Sequence, residues 1–324
     1  MILRTDHAVA GSCALACGFA AEWGQETVTA APRIADTALG PVEYAVVGTG
    51  RPVVVVHGSP GGIDAAELMA GFLPPHEIAA VLVSRPGYLG TPLGGRRTID
   101  EQADLLAALL DVLDLDGVGV LSWSGGGPAG YRLAVRHPER VAALVAFAAV
   151  SQAYEARPED PVTRFLFTTG VGQWLMGQVA DRAPRQYVSG ALSSEGDLTK
   201  EQLAAKVDEV MSDPVKRDFV LALGPTAGRL RDRREGYAND LAQFAAIGSL
   251  ELERITAPTL VVQGAADSDL PPAHSTFAAA TIPDAELLTL DTGTHLALYT
   301  HPDSAAAQAR VVDHLLGRGT SAGG

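Results

Sequence analysis

Apolar residues fall along this chain in two rhythms. Short unbroken runs occur at residues 53–57 (VVVVH), 79–83 (AAVLV), 117–122 (GVGVLS), 141–147 (VAALVAF), 258–262 (PTLVV) and 285–290 (AELLTL). Apolar side chains at successive rather than alternate positions predict strands covered on both faces, as in a central parallel sheet. Residues 42–48 (VEYAVVG) predict an earlier strand, with a turn over 48–52 before VVVVH. Helical stretches lie between the runs. Thr98 and Glu101 have capping-box spacing and apolar residues follow through Leu113. Residues 126–136 and 304–316 predict two more helices, the last stopping before Gly317. Strands alternating with helices at this spacing imply a mostly parallel sheet with helices on both faces.

The alternation stops after Phe147. Residues 151–250 read as helical, with one helix around 174–176, others at 200–211 and 214–223, and a fourth at 226–247. Pro214 sits where a first helical turn tolerates proline. Strand signal returns at Pro258. The expected organisation is an N-terminal extension over 1–41, an α/β core over 42–150 and 251–317, a helical insertion over 151–250, and a flexible Gly/Ser-rich tail over 318–324. A chain of 324 residues, 47% of them hydrophobic, suits one large α/β core carrying such an insertion.

Charge narrows the partners. The formal net charge of −14 opposes nucleic-acid phosphates, and no basic run is long enough to offset it. The densest basic cluster, RDRR at 231–234, reads as a solvated helix face, with anion binding or an internal salt bridge as alternatives. The two cysteines, Cys13 and Cys17, share i,i+4 spacing but read as incidental, because spacing alone does not establish a disulfide. No run is long and apolar enough to predict a membrane span. Arg4 and the Ala-rich stretch from Ala8 to Ala21 resemble a weak signal peptide, interrupted by Asp6, His7 and Gly11-Ser12, so a cytoplasmic protein is expected.

The strongest chemical signal is LSWSGGGPAG, residues 121–130, which joins a buried strand directly to a helix. A serine at such a strand–helix elbow is held outward on a tight turn, making Ser124 the candidate nucleophile. Ser122 stands where this elbow more often has glycine. Backbone N–H groups stabilise a developing oxyanion without reorganising. Gly125, opening the helix, and Ser59, in the loop HGSPGG (57–62), are the candidate donors. Among eight histidines, His295 in GTHLA follows the last strand, at the sheet edge that also carries the elbow. It is the candidate base. His57 is expected to orient its loop, and His274 is a weaker alternative base. The stretch VVQGAADSDLPP, residues 261–272, offers Asp267 and Asp269 as the carboxylate that orients the base, Asp267 being favoured by its place at the loop apex. Asp291 is a more distant candidate. Trp123, Trp174 and Phe165 are candidate walls of a substrate pocket. No HExxH, zinc-type cysteine set, calcium loop, Walker pattern or dinucleotide fingerprint occurs, so no metal or cofactor site is expected.

Together these residues resemble the α/β-hydrolase superfamily. HGSPGG resembles its oxyanion loop, SWSGGG its nucleophile elbow, GAADSDLPP its acid loop and GTHLA its base loop. SRPGYLGTP, residues 84–92, resembles its Arg-Pro-Gly-Tyr-Gly loop, with Leu89 interrupting the Tyr-Gly. The similarity spans roughly residues 42–317 and lies nearest the proline iminopeptidase-like and small-ester hydrolase branches. Serine at the elbow speaks against the haloalkane dehalogenase branch, which uses aspartate there. The resemblance implies an α/β-hydrolase fold with residues 151–250 as a helical cap, no cofactor, and a Ser124–His295–Asp267 triad acting by acyl transfer on a small-molecule or short-peptide substrate. A small carboxylic ester is the leading expectation. The alternatives are an aminopeptidase of the proline iminopeptidase type, a carbon–carbon bond hydrolase, and a non-catalytic receptor that keeps the fold.

Overall fold

The computed structural model describes residues 31–157, 160–228 and 231–318. Cys13, Cys17, the signal-like stretch and the tail beyond residue 318 lie outside the described residues. Eight strands form one sheet in the order β1-β2-β4-β3-β5-β6-β7-β8. They are β1 (Arg33–Thr37), β2 (Gly40–Val47), β3 (Arg51–Val56), β4 (Ile78–Val83), β5 (Val118–Trp123), β6 (Val141–Phe147), β7 (Thr259–Gly264) and β8 (Ala285–Leu290). β1 pairs antiparallel with β2, and β2 antiparallel with β4; every later pairing is parallel.

The unbroken apolar runs form β5, at the centre of the sheet, and β7, next to its edge, and every residue of both is buried. β8 departs from that expectation. It is an edge strand with Glu286 and Leu287 exposed, because only β7 flanks it. β1 was not expected, since residues 1–41 read as an extension. Only Ala35 of its five residues is buried, so it carries little hydrophobic signal, yet it pairs Arg33 with Tyr44 through to Thr37 with Gly40.

Helices cover both faces. On one side α2 (Ile99–Val112) and α3 (Gly127–Arg136) pack against β3, β5 and β6. The capping box at the start of α2 forms as its spacing predicts: the Glu101 N–H donates to Thr98 Oγ1, and the Thr98 N–H donates to Glu101 Oε2 at 2.8 Å. On the other side lie α1 (Ile63–Ala70), the short α11 (Ala297–Thr300) and α12 (Ser304–Leu316). Helix α10 (Ala273–Thr281) follows β7.

Between β6 and β7 the chain forms α4 (Pro161–Thr168), α5 (Gly170–Arg182), α6 (Pro184–Ser194), α7 (Lys200–Ser212), α8 (Pro214–Thr226) and α9 (Arg234–Ala245). The helix expected over 226–247 is therefore shorter. α8 runs on through Pro225 to Thr226, and a 3-10 turn at Arg231–Arg233 precedes α9. The RDRR cluster is not simply a solvated face. Arg233 is buried, pairs with Asp64 and donates from Nε to the Thr226 carbonyl at 3.1 Å, which is the internal salt-bridge alternative. Val188, Leu192, Val210 and Phe219 of the insertion join the same apolar cluster as Trp123, Phe147 and Tyr299 beneath it. No helix among the described residues is long and apolar enough to cross a membrane.

The core makes a direct prediction. Leu109 of α2 is 0% exposed, whereas Val112 on the same helix is 48% exposed. Leu109→Ala should destabilise by about 2–5 kcal/mol, and Val112→Ala by no more than about 0.5 kcal/mol. Urea midpoints at constant slope measure both; equal shifts would contradict the burial pattern.

Candidate active site

β5 ends at Trp123 and the chain turns at once. Ser124 has φ 52°, a left-handed conformation that a side-chain-bearing residue adopts at a cost. The turn holds because its surroundings leave no alternative. A Cβ on Gly125 would lie 2.1 Å from Ser59 Oγ and 3.0 Å from Phe244, so only glycine fits directly after the serine. Ser122, at the position usually taken by glycine, is accommodated by the next helix. It packs against Gly130, where a Cβ would meet its Cβ and Oγ at 3.1 Å, and its hydroxyl donates to the Val145 carbonyl at 3.2 Å. Helix α3 then begins at Gly127, with the Gly125 N–H in the turn ahead of it.

The loop after β3 lies against this elbow. A Cβ on Gly58 would stand 3.2 Å from Ser124 Cβ. Among the described residues, no acceptor engages the backbone N–H of Ser59 or of Gly125. His57 orients the loop, as expected. Its Nε2 accepts from the Arg85 N–H at 3.0 Å, so Nδ1 carries the proton and donates to the Gly58 carbonyl at 2.7 Å. Burial, with Arg85 nearby, lowers the His57 pKa well below the usual imidazole range and keeps the ring neutral.

The loops after β7 and β8 bring the other two residues together. His295 Nδ1 lies 2.8 Å from Asp267 Oδ2. Asp267 is held by three further donors: the N–H groups of Asp269 and Leu270 on Oδ1, at 3.0 and 2.8 Å, and Gln263 Nε2 on Oδ2 at 3.0 Å. With Nδ1 donating to Asp267, His295 Nε2 becomes an acceptor once the ring is neutral. Asp269 occupies a different place. Its Oδ2 is 3.5 Å from Nε2, and its side chain is half exposed. Asp267 is thus the orienting carboxylate, and Asp269 a second charge on the opposite ring edge. Among the described residues nothing hydrogen-bonds the Ser124 hydroxyl, and Ser124 lines the same cleft as Asp269, which stands 3.5 Å from His295 Nε2. His274 lies elsewhere, accepting from the Ser151 N–H at 3.2 Å. The Asp291 carbonyl accepts from His301.

Two features of the site emerge only from the structure. The first is Glu195, after α6. Its backbone carbonyl accepts from the His295 N–H at 2.9 Å, the Asp197 N–H donates to Ala266, and Gly196 bridges Asp267. The turn therefore straps together the acid and base loops. Its carboxyl Oε2 is buried without a hydrogen-bond partner. Burial, reinforced by Asp269, raises the Glu195 pKa. Burial opposes a charge on His295, but Asp267, then Asp269 and Glu195, outweigh it and raise the imidazole pKa. Glu195, Asp269 and His295 each offer one ligand-type atom within 4.8 Å of the others, and are the residues here able to hold a cation.

The second feature is the narrow cleft lined by Ser59, Ser124 and Gly125 together with Val150, Tyr154, Tyr237, Leu241, Phe244, Asp269 and Leu270. Trp123, Phe165 and Trp174 are not among its walls. Trp123 is buried beneath, stacking on His295 at 5.7 Å and on Phe147. Phe165 and Trp174 are 43% and 61% exposed on α4 and α5, which pack chiefly on each other and on α6. The insertion reaches the cleft through α9 and the segment after β6.

Comparison with known proteins agrees with this geometry. A family model described as the alpha/beta hydrolase fold matches residues 51–302. A solved alpha/beta hydrolase fold protein from Nakamurella multipartita is 50% identical, with TM-score 0.87, covering 89% of this chain and all of that one. A hydrolase of Bacillus subtilis is 28% identical over 263 residues, 79% of this chain and 89% of the relative. A pimeloyl-[acyl-carrier protein] methyl ester esterase of Aromatoleum aromaticum is 27% identical over 263 residues, 79% of this chain and 96% of the relative.

The charges around His295 have a measurable consequence. Its imidazolium should persist well above pH 6.5 in a proton NMR titration. Asp269→Asn removes a half-exposed negative charge beside Nε2 and should lower that midpoint by about one pH unit. An unchanged or raised midpoint would contradict the electrostatic assignment.

Proposed function

Since this chain belongs to the α/β-hydrolase family, we propose that it hydrolyses small carboxylic esters through an acyl-enzyme on Ser124. The observation that carries this reading is the convergence at one sheet edge. A left-handed serine follows β5, and the buried Asp267–His295 pair follows β7 and β8 with its Nε2 edge toward Asp269, which lines the same cleft as Ser124. The methyl-ester activity named for the Aromatoleum relative supports the choice of ester.

In the proposed reaction, substrate entry brings Ser124 Oγ and His295 Nε2 together, as catalytic hydrogen bonds often tighten only in the complex. His295 takes the serine proton as Oγ attacks the carbonyl carbon. The N–H groups of Ser59 and Gly125 hold the oxyanion. The alcohol leaves with the proton from His295, and water repeats the cycle on the acyl-enzyme. Residues 151–250 act as a cap, lending Tyr154, Tyr237, Leu241 and Phe244 to the acyl pocket.

Asp269 and Glu195 favour a second reading. Two carboxyl groups close to His295, one of them on Asp269 in the cleft wall, would suit a substrate ammonium, as an aminopeptidase of the proline iminopeptidase type requires.

Wild type and Ser124→Ala assayed on p-nitrophenyl esters, aminoacyl-naphthylamides and a diketone would separate these readings. Ester turnover should dominate, rise with pH above 6.5 as His295 loses its proton, and fall at least about 10³-fold in Ser124→Ala. A fluorophosphonate that does not label Ser124 in folded protein would instead point to a non-catalytic receptor.

A further inference from the structure

The loop that carries Ser59 is held by a charge delivered from the insertion. Arg85, after β4, is 2% exposed, and its guanidinium meets Asp240 of α9, 1% exposed, through two bonds: NH1 to Oδ1 at 2.9 Å and NH2 to Oδ2 at 2.6 Å. The same guanidinium donates to the carbonyls of His57 and Gly58, at 3.1 and 3.0 Å, and to Ser59 Oγ at 2.7 Å. Ser59 Oγ in turn donates to Asp240 Oδ2 at 2.5 Å, which also accepts from the Tyr88 hydroxyl at 2.6 Å.

The Gly58 carbonyl is the decisive contact. It belongs to the same planar peptide unit as the Ser59 N–H, so fixing one fixes the other in the opposite direction. Arg85 and His57 Nδ1 both hold that carbonyl on the interior side. The Ser59 N–H is thereby turned outward, toward the cleft that Ser59 and Ser124 line. Without Asp240, the guanidinium has no carboxylate to set its plane, and the peptide loses its inward anchor.

We infer that Asp240 and Arg85 are positioning residues that aim the Ser59 N–H at the developing oxyanion. This rests on the acyl-transfer reading above. Asp240 also shares α9 with Tyr237, Leu241 and Phe244, which line the cleft. The helix that meets the acyl group therefore also sets the oxyanion donor, so a poorly fitting acyl group is penalised in kcat more than in KM.

Asp240→Asn keeps the side-chain shape and removes the charge. With active sites counted by fluorophosphonate titration, kcat on a p-nitrophenyl ester should fall about 10- to 100-fold, somewhat less than loss of a whole oxyanion donor, while KM moves less than about threefold. Affinity for a trifluoromethyl ketone, which mimics the tetrahedral intermediate, should fall in proportion to kcat/KM. Arg85→Lys should show the same split. Unchanged kcat per titrated site, or a rise in KM alone, overturns the inference; a wild type that neither turns over nor labels overturns the acyl-transfer reading instead. Should the variants fail to fold, the ketone adduct of the wild type decides. Its oxyanion should lie about 2.7–3.1 Å from the Ser59 nitrogen, with the Gly58 carbonyl still on Arg85; an oxyanion bound to other donors overturns the assignment.

Discussion

A guanidinium with almost no access to water cannot be left without a counter-charge. Arg85 meets that constraint with Asp240, 155 residues away along the chain, and the rest of the site is arranged around the pair. It joins the loop after β3, the loop after β4 and α9 of the insertion. Neighbouring backbone contacts extend the junction: the Gly236 N–H donates to Gly87, and the Leu89 N–H to Asp232. The cleft over Ser124 is the space left between these elements once the charge has been neutralised.

The other half of the site depends on packing more than charge. Trp123, directly before the nucleophile, stacks on His295 and Phe147, while Tyr299 stacks on Phe219 of α8 at 4.0 Å. The imidazole is thus wedged between an aromatic face and three carboxyl groups. Packing sets its plane, while Asp267 sets its tautomer and, ahead of Asp269 and Glu195, raises its affinity for a proton. Orientation and basicity thus meet in one carboxylate.

What could be read along the chain follows from the same division. The sheet was legible because buried parallel strands are continuously apolar. The candidates Ser124, His295 and Asp267 were legible because each sits in a short loop just after a strand of the sheet, where position alone implies the sheet edge. β1 escaped because one buried alanine in five residues leaves no pattern. Asp240 escaped because a charged residue in a helix reads as a solvated face, and Arg85 and Glu195, one in a loop with a family-like motif and the other among many acidic residues of the insertion, gave no sign of burial, which arises only from partners far away in sequence. The cleft walls were not legible for a related reason. Trp174 and Phe165 have pocket-like side chains, but which insertion helix faces Ser124 is decided by docking at Asp240 and Glu195.

The strap at Glu195–Asp197 and the clamp at Asp240 grip opposite halves of the machinery from one inserted segment. Such an insertion is not a detachable module. Exchanging it whole for that of another member would remove the carboxylate that neutralises Arg85 and untie the loops bearing Asp267 and His295, so the core would lose its function together with its roof. Changes at wall positions such as Tyr154, Tyr237 and Leu241, by contrast, reshape the cleft with both fastenings kept in place.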